Sequence, residues 1–152
     1  MEPNKIKKVL IAIDYDKSAE IVAEAGYTLA KAMNAETILL HVIHERPTYY
    51  TECPSIYELH IGYIEDLKET TQNFLNEIKR HLGNESIRMV LEEGEIAQTI
   101  LDTAKGINAD IIVIGSHSRK WLENIILGND AKSVLKKTTI PLFIVPIKAE
   151  NK

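Results

Sequence analysis

Five short apolar runs punctuate this chain, and between them the apolar spacing switches from continuous to helical. The runs are Val9-Leu10-Ile11-Ala12-Ile13, Thr37-Ile38-Leu39-Leu40-His41-Val42-Ile43, Ile87 to Leu91, Ile111-Ile112-Val113-Ile114 and Leu142-Phe143-Ile144-Val145. Continuous runs rich in Val and Ile suit strands buried on both faces, the environment of a parallel sheet. The intervening segments carry the other period. Ile21, Val22, Ala25, Leu29, Ala32 and Met33 form one stripe over Ser18 to Met33, with Ser18 as a candidate cap and Asn34 as a candidate stop. Ile64, Leu67, Thr71, Phe74, Leu75, Ile78 and Leu82 form a second stripe, closed by Gly83-Asn84. Ile96, Ala97, Ile100, Leu101 and Ala104 form a third, and Ala131 to Lys137 a short last helix. Glu45 to about Leu59 holds Pro47, Pro54, Tyr49, Tyr50 and Cys53 without a steady period and reads as a loop. Strands alternating with helices imply right-handed crossovers. The expected fold is α/β, an open five-stranded parallel sheet with helices on both faces.

Composition narrows the function classes. The 152 residues suit one such domain over 1–152, with frayed ends and no internal repeat or linker. A net charge of −4 lacks the basic surplus that neutralising nucleic-acid phosphates would require. No apolar run approaches the roughly 18–20 residues of a membrane span, and the polar start, Met1 to Lys8, does not read as a signal peptide. One cysteine, Cys53, forms no internal disulfide. The expectation is a cytoplasmic protein acting on neither membrane nor nucleic acid.

In an open parallel sheet, ligands bind beyond the carboxyl ends of the strands where the strand order reverses. Asp14-Tyr15-Asp16-Lys17-Ser18 follows the first run. A carboxylate there can accept from a ribose hydroxyl or an adenine amine, or it can cap the turn into the helix. Gly115-Ser116-His117-Ser118-Arg119-Lys120 follows the fourth run, and Gly128-Asn129-Asp130 opens the last helix. Small residues at a strand end before a helix N-terminus let backbone N–H groups approach an anion.

These residues resemble the universal stress protein family. The first strand with Asp14, the strand ending in His41-Val42, and above all Gly115 to Val145 carry the likeness. Members that bind ATP have glycine, two residues, glycine, nine residues, then glycine with Ser or Thr. The same frame here is Gly115, Ser116-His117, Ser118, Arg119 to Leu127, then Gly128-Asn129. The resemblance implies strand order 3-2-1-4-5 and ATP or AMP, with Mg2+, between the ends of strands one and four. It assigns Asp14 and the Val42 backbone to adenine, Gly115 to the ribose, and His117, Ser118, Gly128 and Asn129 to the phosphates. It also implies a homodimer through the edge strand Leu142 to Val145, which Pro141 and Pro146 bound.

Three departures define an alternative. Ser118 replaces a glycine and brings a Cβ to the loop, and Asn129 replaces Ser or Thr while remaining a sound helix cap. Asp130 stands on the helix's first turn. A carboxylate ~5 Å from a phosphate charge costs about 3 kcal/mol at an effective dielectric near 20, about two decades of affinity. Arg119, Lys120 and Lys132 offset this only if they point inward. The alternative is a nucleotide-independent dimerising module of the same fold.

Other motifs carry less. His60-Ile61-Gly62-Tyr63 resembles the HIGH tetrapeptide of class I aminoacyl-tRNA synthetases, but it follows the second strand rather than the first. His41 and His44 stand three apart on a strand and point to opposite faces, which disfavours a metal site with Cys53 and His60. Ser116 and Ser118 flank His117 without a convergent base and orienting group, so no catalytic residue is assigned. Trp121 with Leu122, Ile125, Ile126 and Leu127 reads as a packed lid segment.

Overall fold

A computed structural model describes residues 5–44, 54–116 and 127–147. Strand β1 (Lys8–Ala12) leads through helix α1 (Ala19–Ala32) to β2 (Glu36–His44), and α2 (Pro54–Leu82) leads to β3 (Arg88–Gly94). Helix α3 (Ile96–Gly106), β4 (Ile111–Gly115), α4 (Asn129–Lys137) and β5 (Leu142–Val145) follow. Every strand pair is parallel, and the order is β3-β2-β1-β4-β5. The expected fold and order hold.

Strand alternation divides the core into two layers. Val9, Ile11, Leu39 and Val113 pack with α1 and α2 through Val22, Ala30, Leu75 and Ile78. Leu10, Ile38, Leu40, Ile112 and Ile114 pack with α3 and α4 through Ile100, Leu101 and Val134. Gly26 allows α1 to lie close on the sheet, because a Cβ there would come within 2.6 Å of Ile11 Cδ1. Between α1 and α2, the His81 Nε2 lies 2.6 Å from Glu24 Oε1.

At the amino edge of the sheet, Asp110 fixes β1 against β4. One carboxylate oxygen accepts from the Lys7 and Lys8 amides at 2.8 and 3.0 Å, and the Lys8 ammonium reaches the Ile107 carbonyl at 2.9 Å. The register of these two strands is therefore set at the end opposite the candidate site.

Several boundaries differ from expectation. Pro54 to Leu59, expected as loop, opens α2. A proline at the first helical position gives up an N–H that has no intrahelical partner anyway, so it starts a helix as readily as it breaks one. The tetrapeptide at 60–63 therefore lies inside a helix, not at a strand-to-helix turn. β3 runs on to Gly94, because β2 extends to His44 and pairs with it. α1 stops as expected, with Asn34 at φ 53°.

Candidate functional site

β1 and β4 are neighbours, yet β1 connects onward to β2 on one side and β4 to β5 on the other. Between them lies the topological switch point, with its crevice beyond the carboxyl ends.

On the β1 side, the Ile13 N–H donates to the Leu40 carbonyl at 2.9 Å. The Ile13 carbonyl lies 2.7 Å from His41 Nδ1. A carbonyl only accepts, so Nδ1 carries a proton and donates. Half-buried Asp14 follows. Ala12 stands opposite Leu40 at the last paired position, and Asp14 and Val42 each follow two residues beyond it on their own strands. The Glu36 N–H donates to Lys7, and Leu40 accepts from Ile13. Even-numbered residues of β2 therefore turn their peptide groups toward β1. Val42 is the next of these, and β1 has ended beside it.

Asp16 serves the turn. Its Oδ1 accepts from the Ser18 N–H at 2.8 Å and from the Ser18 hydroxyl. Ser18 sits at the start of α1 in helical backbone (φ −78°, ψ −15°) and makes no side-chain cap bond. Ser18 stands at the cap position of α1 as expected, but its buried hydroxyl donates backward to Asp16 and organises the turn rather than accepting from the helix's first amides.

On the β4 side, Gly115 ends the strand and Ser116 behind it is 2% exposed. Ser116 anchors three segments. Its N–H donates to the Val145 carbonyl at 2.9 Å, its Oγ accepts from the Ile147 N–H at 2.8 Å, and its carbonyl accepts from the Gly128 N–H at 2.7 Å. Gly128 (φ −62°, ψ 163°) occupies the cap position of α4, and Lys132 closes the first helical bond onto its carbonyl at 3.0 Å. Asn129 is accordingly the first helical residue rather than the cap, a correction that follows from the extended backbone at Gly128. The Gly128 amide is spent on Ser116. Asp130 is exposed in the first turn of α4, as its position in the sequence predicts, and Lys132 is exposed too.

Of the residues singled out from sequence, Asp14, Val42, Gly115, Gly128 and Asn129 fall at this end of the sheet. His117 and Ser118 lie outside the described residues, as do Arg119, Lys120 and Trp121. The structure adds two residues. In the sequence Ser116 stood as a spacer of the glycine frame beside His117, and His41 as part of the family likeness and a weak metal candidate, neither with a hydrogen-bonding role. A polar residue within an apolar run (His41) or just after one (Ser116) was the available signal. Among the described residues, no three His, Cys, Asp or Glu side chains form a metal-binding group. Among them, too, no helix is long and apolar enough to cross a membrane.

The family model described as "Universal stress protein family" matches residues 5–146. The chain belongs to the universal stress protein family. Universal stress protein MJ0577 of Methanocaldococcus jannaschii is 30% identical over 159 residues, covering 93% of this chain and 96% of that one. Universal stress protein A of Escherichia coli K12 is 24% identical over 146 residues, covering 95% and 97%. The solved structure of MJ0577 superposes with a TM-score of 0.76 at 29% identity, over 97% of this chain and all (100%) of that one. A universal stress protein solved in complex with cAMP shares the fold at a TM-score of 0.63 and 19% identity, over 94% and 98% of the two chains.

Proposed function

We propose that this universal stress protein is a cytoplasmic stress-response regulator that binds an adenine nucleotide, ATP or AMP, between the ends of β1 and β4. Occupancy of that crevice alters its contacts with protein partners. The observation that carries the reading is the Gly128 to Ser116 hydrogen bond at 2.7 Å. It closes the Gly115–Gly128 frame and sets the N-terminus of α4 beside the crevice, where first-turn amides and the helix dipole favour an anion. Asp14 and the peptide edge of Val42 offer groups for the adenine, and Gly115 leaves room under the ribose. His117, Ser118, Gly128 and Asn129 surround the phosphates, with Gly128 offering close backbone approach rather than its amide. The relative solved with cAMP supports the capacity of this fold for an adenine nucleotide. Mg2+, where it accompanies the nucleotide, rests on phosphate oxygens and water.

The same chain forms a homodimer through β5 in this reading. β5 is an edge of the sheet, and Phe143 on it is 41% exposed. Sedimentation at micromolar concentration should give twice the 17.2 kDa chain mass, and a species of the chain mass alone would refute the dimer.

Asp130 in the first turn of α4 favours a second reading, a nucleotide-independent dimerising module. Thermal melting separates the two. Saturating Mg-ATP or AMP should raise the melting temperature by several degrees and GTP by less, since a ligand at ~100 Kd stabilises by about 2.7 kcal/mol. No shift with either adenine nucleotide would leave the second reading.

A further inference from the structure

The bonding between β1 and β2 follows the parallel rule up to Ile13 and then departs from it. Glu36 donates to Lys7, and five residues of each strand pair in register. Ile13 donates to Leu40, which makes it one more rung past the end of β1. The next rung in a continuing ladder would run from the Val42 N–H to the Ile13 carbonyl. Among the described residues that rung is not made. The Ile13 carbonyl is held instead by His41 Nδ1 at 2.7 Å.

We propose that His41 is a positioning residue for base recognition: its imidazole takes the Ile13 carbonyl and so leaves the Val42 N–H to face the crevice. This rests on the adenine-nucleotide reading above. An imidazole half-buried between Leu40 and Val42 carries a desolvation cost that a leucine there would not. The carbonyl bond offsets that cost, and the residue achieves what no apolar side chain can. It stops strand pairing one rung early without leaving a buried carbonyl unsatisfied. The Val42 peptide then presents a donor beside an acceptor, the pattern that matches the ring nitrogen and exocyclic amine of adenine. Guanine presents an acceptor and a ring N–H in those places, the reverse pattern.

Two substitutions test this. His41→Leu cannot donate, so the Val42 N–H should recapture the Ile13 carbonyl. His41→Asn keeps a donor near the place of Nδ1. Amide hydrogen exchange on the unliganded protein should show Val42 protection rising about tenfold or more in H41L and staying near wild type in H41N. ATP affinity should fall about tenfold in H41L, a change of the size expected for one hydrogen bond. GTP affinity should change little, and H41N should bind ATP within about threefold of wild type. A merely structural histidine would lower stability and both affinities together. Unchanged Val42 exchange in H41L, or equal losses for ATP and GTP, would overturn the positioning role. Gained Val42 protection in H41L with no nucleotide binding by the wild-type chain would instead sink the nucleotide reading, and the base-reading role with it.

Discussion

The Gly128 N–H donates to the Ser116 carbonyl at 2.7 Å, so the chain leaves the end of β4 and returns to the same point before α4 begins. That bond fixes the first turn of α4 relative to the switch point, and with it the one acidic residue of that turn, Asp130. Asp130 is exposed, so water screens it more than the dielectric of a buried site would imply. At ~5 Å and water-like screening, its repulsion of a phosphate charge is about 1 kcal/mol. Asp130→Asn should therefore tighten Mg-ATP binding roughly fivefold at low salt, and AMP less. Calorimetry at two ionic strengths checks both the gain and its decline with salt. An equal effect on adenosine would remove the charge argument.

Ser116 should matter for stability before it matters for ligand. Its buried Oγ accepts from the Ile147 N–H, tying the residues after β5 to the end of β4. Ser116→Ala leaves that amide without this acceptor, at a cost of about 1–2 kcal/mol, which is a fall of several degrees in Tm. The bond to Gly128 runs through the backbone and survives the substitution. Nucleotide affinity should consequently drop less than stability does.

The closeness of α1 to the sheet is testable at Gly26. An added methyl would meet Ile11 Cδ1 at 2.6 Å and Cγ1 at 2.7 Å, and Ile11 is fully buried. Gly26→Ala should destabilise by about 1–3 kcal/mol. Gly106, at the end of α3, has nothing within 4 Å of the same position. Gly106→Ala should be neutral or stabilise by up to about 1 kcal/mol, because it restricts only the unfolded chain. Denaturant melts of the two variants give the contrast directly.

How far these features were legible differs between levels. The alternation of Val/Ile runs with helical stripes is a property of the pattern, and it carries through to the five-stranded parallel sheet, whereas the strand order was implied by the family resemblance. The start of α2 was hidden because Pro54 is a helix starter only where its missing N–H goes unused, and nothing in the residues around it says so. The cap of α4 moved from Asn129 to Gly128 because backbone geometry at Gly128, set by its bond to Ser116, decided it. The same kind of long-range bond concealed the roles of Ser116 and His41. Their partners are separated from them by 31 and 28 residues of sequence, and no local spacing carries that information.

His81 gives a pH dependence with a definite sign. Its hydrogen bond with Glu24, reinforced by the nearby charge of Glu20, raises its pKa above the ordinary 6.5. A raised value favours the protonated form in the folded state. The contribution is fully present below about pH 6.5 and is lost as pH rises through the folded value. Thermal melts of wild type and His81→Gln should differ most near pH 5.5 and converge in alkaline buffer. A gap that widened with pH would contradict the pairing. Both side chains are largely exposed, so the gap should also shrink in high salt.

The central claim is an adenine nucleotide held between Asp14 and the start of α4. Titration calorimetry of Mg-ATP into protein stripped of ligand measures it most directly. A saturable heat with a submillimolar Kd and one site per chain is expected. No heat at millimolar nucleotide would contradict it.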